Sequence, residues 1–125
     1  MRVLLVDDSP VNLRVTSLML ERAGHRVVPA ARARDALRLL EASSFDLVLM
    51  DVEMPDMDGR QATALLRGLG LVDLPVIALT AHSDLDQRER CLQAGMNDVL
   101  CKPFKLRDLV ATVERWARWP PAVIA

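Results

Sequence analysis

Short runs of apolar residues recur along the chain, separated by longer stretches in which apolar side chains return every three or four positions. Val3-Leu4-Leu5-Val6, Leu47-Val48-Leu49-Met50, Val76-Ile77-Ala78-Leu79 and Val99-Leu100-Cys101 are unbroken runs, and Arg26 to Ala30 is a shorter, more mixed one. Such runs read as strands covered on both faces, and the intervening spacing reads as helices. Ser9-Pro10 supplies a cap and a first-turn proline for a helix that lasts to Gly24, with Val11, Val15 and Leu18 expected inward. Leu13 and Leu20, with Thr16 and Ser17 between them, then fall on the opposite face as an exposed stripe. A second helix is expected over Ala33 to Ala42 with Ala36, Leu37 and Leu40 inward, ended by Ser43-Ser44. A third runs from Gln61 to about Leu69, fenced by Gly59 and Gly70. The turn Asp73-Leu74-Pro75 leads into the fourth strand, and Ser83-Asp84 caps a helix that stops at Gly95. Leu106, Leu109, Val110, Val113 and Ala117 mark one face of a last helix closed by Pro120-Pro121.

Strands and helices that alternate from end to end predict an α/β protein, a doubly wound parallel sheet of five βα units. The flavodoxin-like strand order 2-1-3-4-5 is taken over from that fold rather than derived, and it sets the first strand beside the third. Four of the runs then end on residues with chemical potential: Asp7-Asp8, Asp51, Thr80 and Lys102-Pro103. Ligands of open α/β sheets sit beyond the carboxyl ends of strands, so three carboxylates, a hydroxyl and an ammonium are expected at one rim. Asp7 and Asp8 would repel each other and Asp51 unless a cation neutralised them, and magnesium suits an oxygen-only donor set.

Composition narrows the classes. The 125 residues make one domain, and 51% apolar content suffices for a core. A net charge of −1 offers no footprint for nucleic acid or an anionic membrane, and 3% aromatic residues without a tyrosine leave no base-stacking surface. With no apolar stretch of spanning length and no leader before the first strand, a cytoplasmic location is expected. Cys91 and Cys101 lack the spacing of a disulfide framework or a thiolate metal site and are expected to be reduced.

Taken in order, Asp7-Asp8, Asp51-Val52-Glu53-Met54-Pro55, Met57-Asp58-Gly59, Thr80-Ala81 and Lys102-Pro103 resemble the receiver domain of two-component response regulators. The likeness covers the whole chain, with residues 1–120 as the receiver domain and 121–125 as a tail. It is strongest to receivers of hybrid sensor kinases and phosphorelays. The resemblance implies that Asp51 takes a phosphoryl group from the phosphohistidine of a histidine kinase or histidine phosphotransfer domain, and that the chain catalyses this step and a slow dephosphorylation. It implies a Mg2+ or Mn2+ ion held by Asp8 and Asp51, by Asp7 through water and by the Glu53 backbone carbonyl. Thr80 and Lys102 would meet the phosphoryl oxygens, small Ala81 would leave the acceptor reachable, and the Lys102-Pro103 peptide would be cis. Gly59 is expected to supply a backbone shape that a side chain would obstruct, and Asp58 a helix cap. The Leu13 and Leu20 stripe becomes a docking face for a helical phosphodonor. Mixed charges at Asp86, Arg88, Arg90, Arg107, Asp108 and Arg115 permit a homodimer.

The sequence departs from the family at Val99, where most members carry an aromatic ring that moves inward as the threonine turns toward phosphate. Valine has one stiff torsion and no ring, so that coupling cannot run in the usual way. Glu53 and His82 stand at the variable positions that tune phosphate lifetime in the family, and they could meet over the site. Two other readings stand beside the main one. A haloacid-dehalogenase-like phosphatase would want a second aspartate where Glu53 lies, and a receiver-fold interaction module would have lost phosphate acceptance.

Overall fold

The computed structural model describes residues 1–82 and 84–117. The elements are β1 (Arg2–Val6), α1 (Pro10–Arg22), β2 (Arg26–Ala30), α2 (Ala33–Ala42), β3 (Leu47–Asp51), α3 (Gly59–Gly68), β4 (Val76–Thr80), α4 (Leu85–Gln93), β5 (Asp98–Cys101) and α5 (Leu106–Ala117). All ladders are parallel, and the strand order is β2-β1-β3-β4-β5, the doubly wound order expected. Central β3 and β4 are buried along their whole length, while Pro29, which cannot donate to a ladder, sits in edge strand β2.

Successive strand residues point to opposite faces, so each apolar run feeds two cores. Leu4, Val6, Val48, Met50, Val76 and Ala78 pack on one face with residues of α2, α3 and α4. Val3, Leu5, Leu47, Leu49, Ile77 and Leu79 pack on the other with Leu20 of α1 and Leu109 and Val113 of α5. Both cysteines are free thiols, and among the described residues no helix is long and apolar enough to cross a membrane.

Helix α1 faces the opposite way from the expectation. Leu20 is fully buried, Thr16 is buried and Leu13 packs against the core, whereas Val11 is 70% exposed and Val15 and Leu18 are also exposed. Both stripes have helical spacing, so periodicity does not choose between them. The choice is made by the turn from β1: Ser9 N–H donates to Asp7 Oδ1 at 2.9 Å and Asn12 N–H to Ser9 Oγ at 3.3 Å, which fixes where the helix starts and hence its phase. In α5, Leu109 and Val113 are buried as expected, but Leu106 and Ala117 face outward. The expected stop at Pro120-Pro121, the tail 121–125 and Ser83 lie outside the described residues.

Helix α3 begins at Gly59, earlier than expected, because Asp58 and Gln61 form a reciprocal cap. At its other end the half-buried Arg67 guanidinium donates to the carbonyls of Leu71, Leu74 and Gly95 and to Asn97 Oδ1, which also accepts from Val76 N–H. One side chain thereby anchors the entries to β4 and β5, the strands that deliver Thr80 and Lys102.

Candidate functional site

Strand register brings the acidic residues together. Val6 pairs with Met50, so the residues that follow, Asp7 and Asp51, emerge side by side at the sheet's switch point. Carboxylate oxygens of Asp7, Asp8 and Asp51 lie within 4.8 Å of one another. Asp7 and Asp51 are each 2% exposed, whereas Asp8 is exposed. From the far side, Lys102 N–H donates to the Thr80 carbonyl at 2.7 Å, and the Lys102 ammonium reaches Asp7 Oδ2 at 3.0 Å and Asp51 Oδ2 at 3.3 Å. The Lys102-Pro103 peptide is cis. Asp7, Asp8, Asp51 and Lys102 therefore meet in one cleft, and Thr80 is tied to it through its carbonyl.

Burial is the main reason that the Asp51 carboxyl is pushed up to about 7; Lys102 opposes the shift and the neighbouring Asp7 charge adds to it. Burial pulls the Lys102 ammonium down, but its bonds to Asp7 and Asp51 outweigh this and hold it above its ordinary value. One ammonium among three carboxylates leaves an excess of negative charge. The donor set is oxygen throughout, which fits a hard divalent cation of the magnesium or manganese kind. The two Asp7 oxygens are already engaged, Oδ1 by Ser9 N–H and Oδ2 by Lys102, whereas the exposed Asp8 carboxylate has no hydrogen-bond partner among the described residues.

The β3–α3 loop is built against the acceptor. A Cβ on Gly59 would run into the Asp51 backbone carbonyl, and Gly59 N–H donates to the Val52 carbonyl at 3.0 Å. Gly59 is needed here for space, since its φ is not positive. Asp56 extends the loop to α2, accepting from Ala33 and Arg34 N–H at 3.4 Å each.

Glu53 and His82 could have met over the site, but their side chains make no hydrogen bond or ion pair with each other. Instead the buried Thr80 hydroxyl donates to Glu53 Oε1 at 2.6 Å and accepts from the His82 backbone N–H at 3.1 Å and from Gln87 Nε2 at 3.3 Å. Sequence reasoning missed Gln87; its signal was only its place one turn into the helix that follows Thr80. Val99 belongs to the apolar cluster of Ala78, Cys91 and Met96. Beside the cleft a cavity of about 420 Å³ is lined by Asp7, Asn12, Val15, Ala81, Lys102 and Phe104 among others. It shares Val15 and Met19 with a second cavity of about 270 Å³ between α1 and Leu106.

The sequence profile described as the response regulator receiver domain matches residues 3–114. The chain is 44% identical to the sensor protein GacS of Pseudomonas syringae over 119 residues, which is 92% of this chain and 13% of that protein. It is 40% identical to the sensor histidine kinase RcsC of Escherichia coli over 117 residues, 94% of this chain and 12% of that one. The chain thus spans about an eighth of the length of these curated relatives. Among solved structures, the receiver domain of a sensor histidine kinase from Pseudomonas aeruginosa, with a magnesium ion coordinated in its active-site cleft, matches with a TM-score of 0.86 and 44% identity, covering 93% of this chain and 96% of that one. These matches leave no ground for the phosphatase reading. A doubly wound sheet with its acidic cleft at the switch point, and a family profile that covers nearly the whole chain, lead to one conclusion: this chain belongs to the response-regulator receiver domains, the phosphoacceptor modules of two-component signalling.

Proposed function

We propose that Asp51 is the phosphoacceptor and that the strand tips around it catalyse both its phosphorylation and its slow hydrolysis. The carrying observation is the position of the Lys102 ammonium, 3.3 Å from Asp51 Oδ2 and held there by Asp7 at 3.0 Å. An Asp51 oxygen attacks phosphorus as the bond to the donor's imidazole nitrogen breaks, and the imidazole leaves with that electron pair. Charge on the transferring group is met by Lys102 and by the Thr80 hydroxyl. A magnesium or manganese ion held by Asp8, Asp51 and the Glu53 backbone carbonyl, with Asp7 behind, would supply further positive charge shared between the carboxylates and the phosphoryl oxygens. The engaged oxygens of Asp7 and the carboxylate of Asp8, which has no hydrogen-bond partner among the described residues, support that division of labour.

The donor in this reading is a phosphohistidine on a histidine kinase or phosphotransfer domain, and the relatives' names, a sensor protein and a sensor histidine kinase, support a place in a histidine-kinase pathway. A net charge of −1 and 3% aromatic content favour such a protein partner over nucleic acid or a membrane surface, in the cytoplasm. The docking face is Val11, Val15 and Leu18, not Leu13 and Leu20: these side chains are exposed, and Val15 lines the cavity that opens onto Asp7 and Lys102. Phosphoryl transfer tests the proposal. In magnesium, wild-type protein accepts phosphate from a histidine phosphotransfer protein and from acetyl phosphate; Val15→Glu slows the first by about tenfold or more and leaves the second unchanged, and Asp51→Asn abolishes both. Transfer to Asp51→Asn at the wild-type rate, or equal slowing of both donors by Val15→Glu, would overturn the corresponding assignment.

A further inference from the structure

A threonine hydroxyl has one proton to give. Here Thr80 gives it to Glu53 Oε1 at 2.6 Å, while His82 N–H and Gln87 Nε2 occupy the acceptor side of the same oxygen. A carboxylate only accepts, so the direction of the short bond is fixed, and a charged acceptor makes it one of the stronger kind. The hydroxyl is thus committed before any phosphoryl group arrives. We propose that the Glu53 carboxylate is a placeholder for the phosphoryl group: it holds Thr80 in the unmodified protein and must release it on phosphorylation, and Gln87 carries that exchange to α4. This rests on the reading of Asp51 as the phosphoacceptor.

A phosphoryl group on Asp51 brings about −1.5 to −2 charges beside the Glu53 carboxylate. It also offers oxygens that need the same Thr80 proton. Repulsion and competition act in one direction, so Glu53 must give way. Thr80 is fully buried at the end of β4, whereas Glu53 is an exposed loop residue and can withdraw to water with its backbone in place. Helix α4 is suited to respond, because Cys91 is its one buried residue. Such a thinly anchored element shifts at low cost. The Gln87 amide touches the hydroxyl itself, so the signal reaches α4 without an aromatic ring at Val99, which is packed in the core.

Beryllofluoride, an anionic stand-in for the phosphoryl group, measures the competition directly in the full chain with magnesium. Glu53→Ala keeps the backbone carbonyl and is expected to bind beryllofluoride about tenfold more tightly than wild type. In a Thr80→Ala background the same change should gain less than about twofold, since no hydroxyl is left to compete for. In a Thr80→Ser background, which keeps the hydroxyl and guards against a folding defect, the gain should return. Gln87→Leu should remove most of the ligand-induced shift of the α4 amide resonances. An equal gain in all three backgrounds would show that Glu53 acts by charge alone and would overturn the placeholder role. No gain in any background would overturn it too. An unchanged α4 response in Gln87→Leu would overturn the relay. If wild type fails to bind beryllofluoride, or Asp51→Asn binds it equally well, the phosphoacceptor reading itself has failed, and the placeholder with it.

Discussion

Gly59→Ala is expected to cost about 3 kcal/mol of stability and to slow phosphorylation by about a hundredfold. The added methyl has nowhere to go. It would meet the carbonyl oxygen of Asp51 directly and lie 3.0 Å from both the Asp51 carbonyl carbon and Met50 Cγ. Two of these three atoms are backbone, and the loop cannot retreat freely because Gly59 N–H is tied to the Val52 carbonyl at 3.0 Å. Relief therefore comes from moving the end of β3, which carries the acceptor carboxylate. Displacements of about an ångström at a reacting atom cost rate as well as stability, which is why both effects are expected together. Urea unfolding and acetyl phosphate labelling check the two halves; a loss under about 1 kcal/mol with a normal labelling rate would mean that the loop is not braced against Asp51.

Asp51→Asn is expected to stabilise the protein when magnesium is chelated, even as it removes the acceptor. Buried Asp51 sits at about 7 rather than 3.8, so the folded state holds this proton more tightly than the unfolded chain does. The sign follows from linkage. Below about pH 4 both states are protonated and there is no penalty; as pH rises from about 4 to 7 the unfolded chain ionises first and stability falls, and above about 7 the loss is complete. The full span corresponds to at most about 4 kcal/mol, and about 2 kcal/mol is expected in practice, because the asparagine also takes a charged partner from Lys102. Chemical denaturation in chelator at pH 8 should thus show the variant more stable, with the difference vanishing toward pH 4. Added magnesium should stabilise wild type more than the variant. A variant less stable than wild type at pH 8 would mean that the Lys102 contact outweighs the burial of the charge.

The element order and the strand-tip residues were readable from the sequence because unbroken apolar runs such as Leu47 to Met50 have few alternatives and each ends on a polar residue. The order of strands was not: nothing in a buried run names its neighbour, and the likeness to a known fold supplied it. The phase of α1 was misread because Val11, Val15 and Leu18 repeat as regularly as Leu13, Thr16 and Leu20, and a threonine hides the inward stripe. Position in the chain marked Glu53 as important but did not give its partner, which depends on how far a flexible side chain reaches toward Thr80. Arg67 left no trace either, since its partners are mainly carbonyls, which every residue has. Local composition reports burial well; long side chains that cross between loops are settled only in three dimensions.

The position of the phosphoryl group tests the central claim most directly. After acetyl phosphate and magnesium, reduction with borohydride converts an aspartyl phosphate to homoserine, and peptide mass spectrometry locates it. The account predicts homoserine at position 51 alone, and none when magnesium is chelated. Label at Asp7, Asp8 or Glu53, or label that forms equally without the metal, would contradict it.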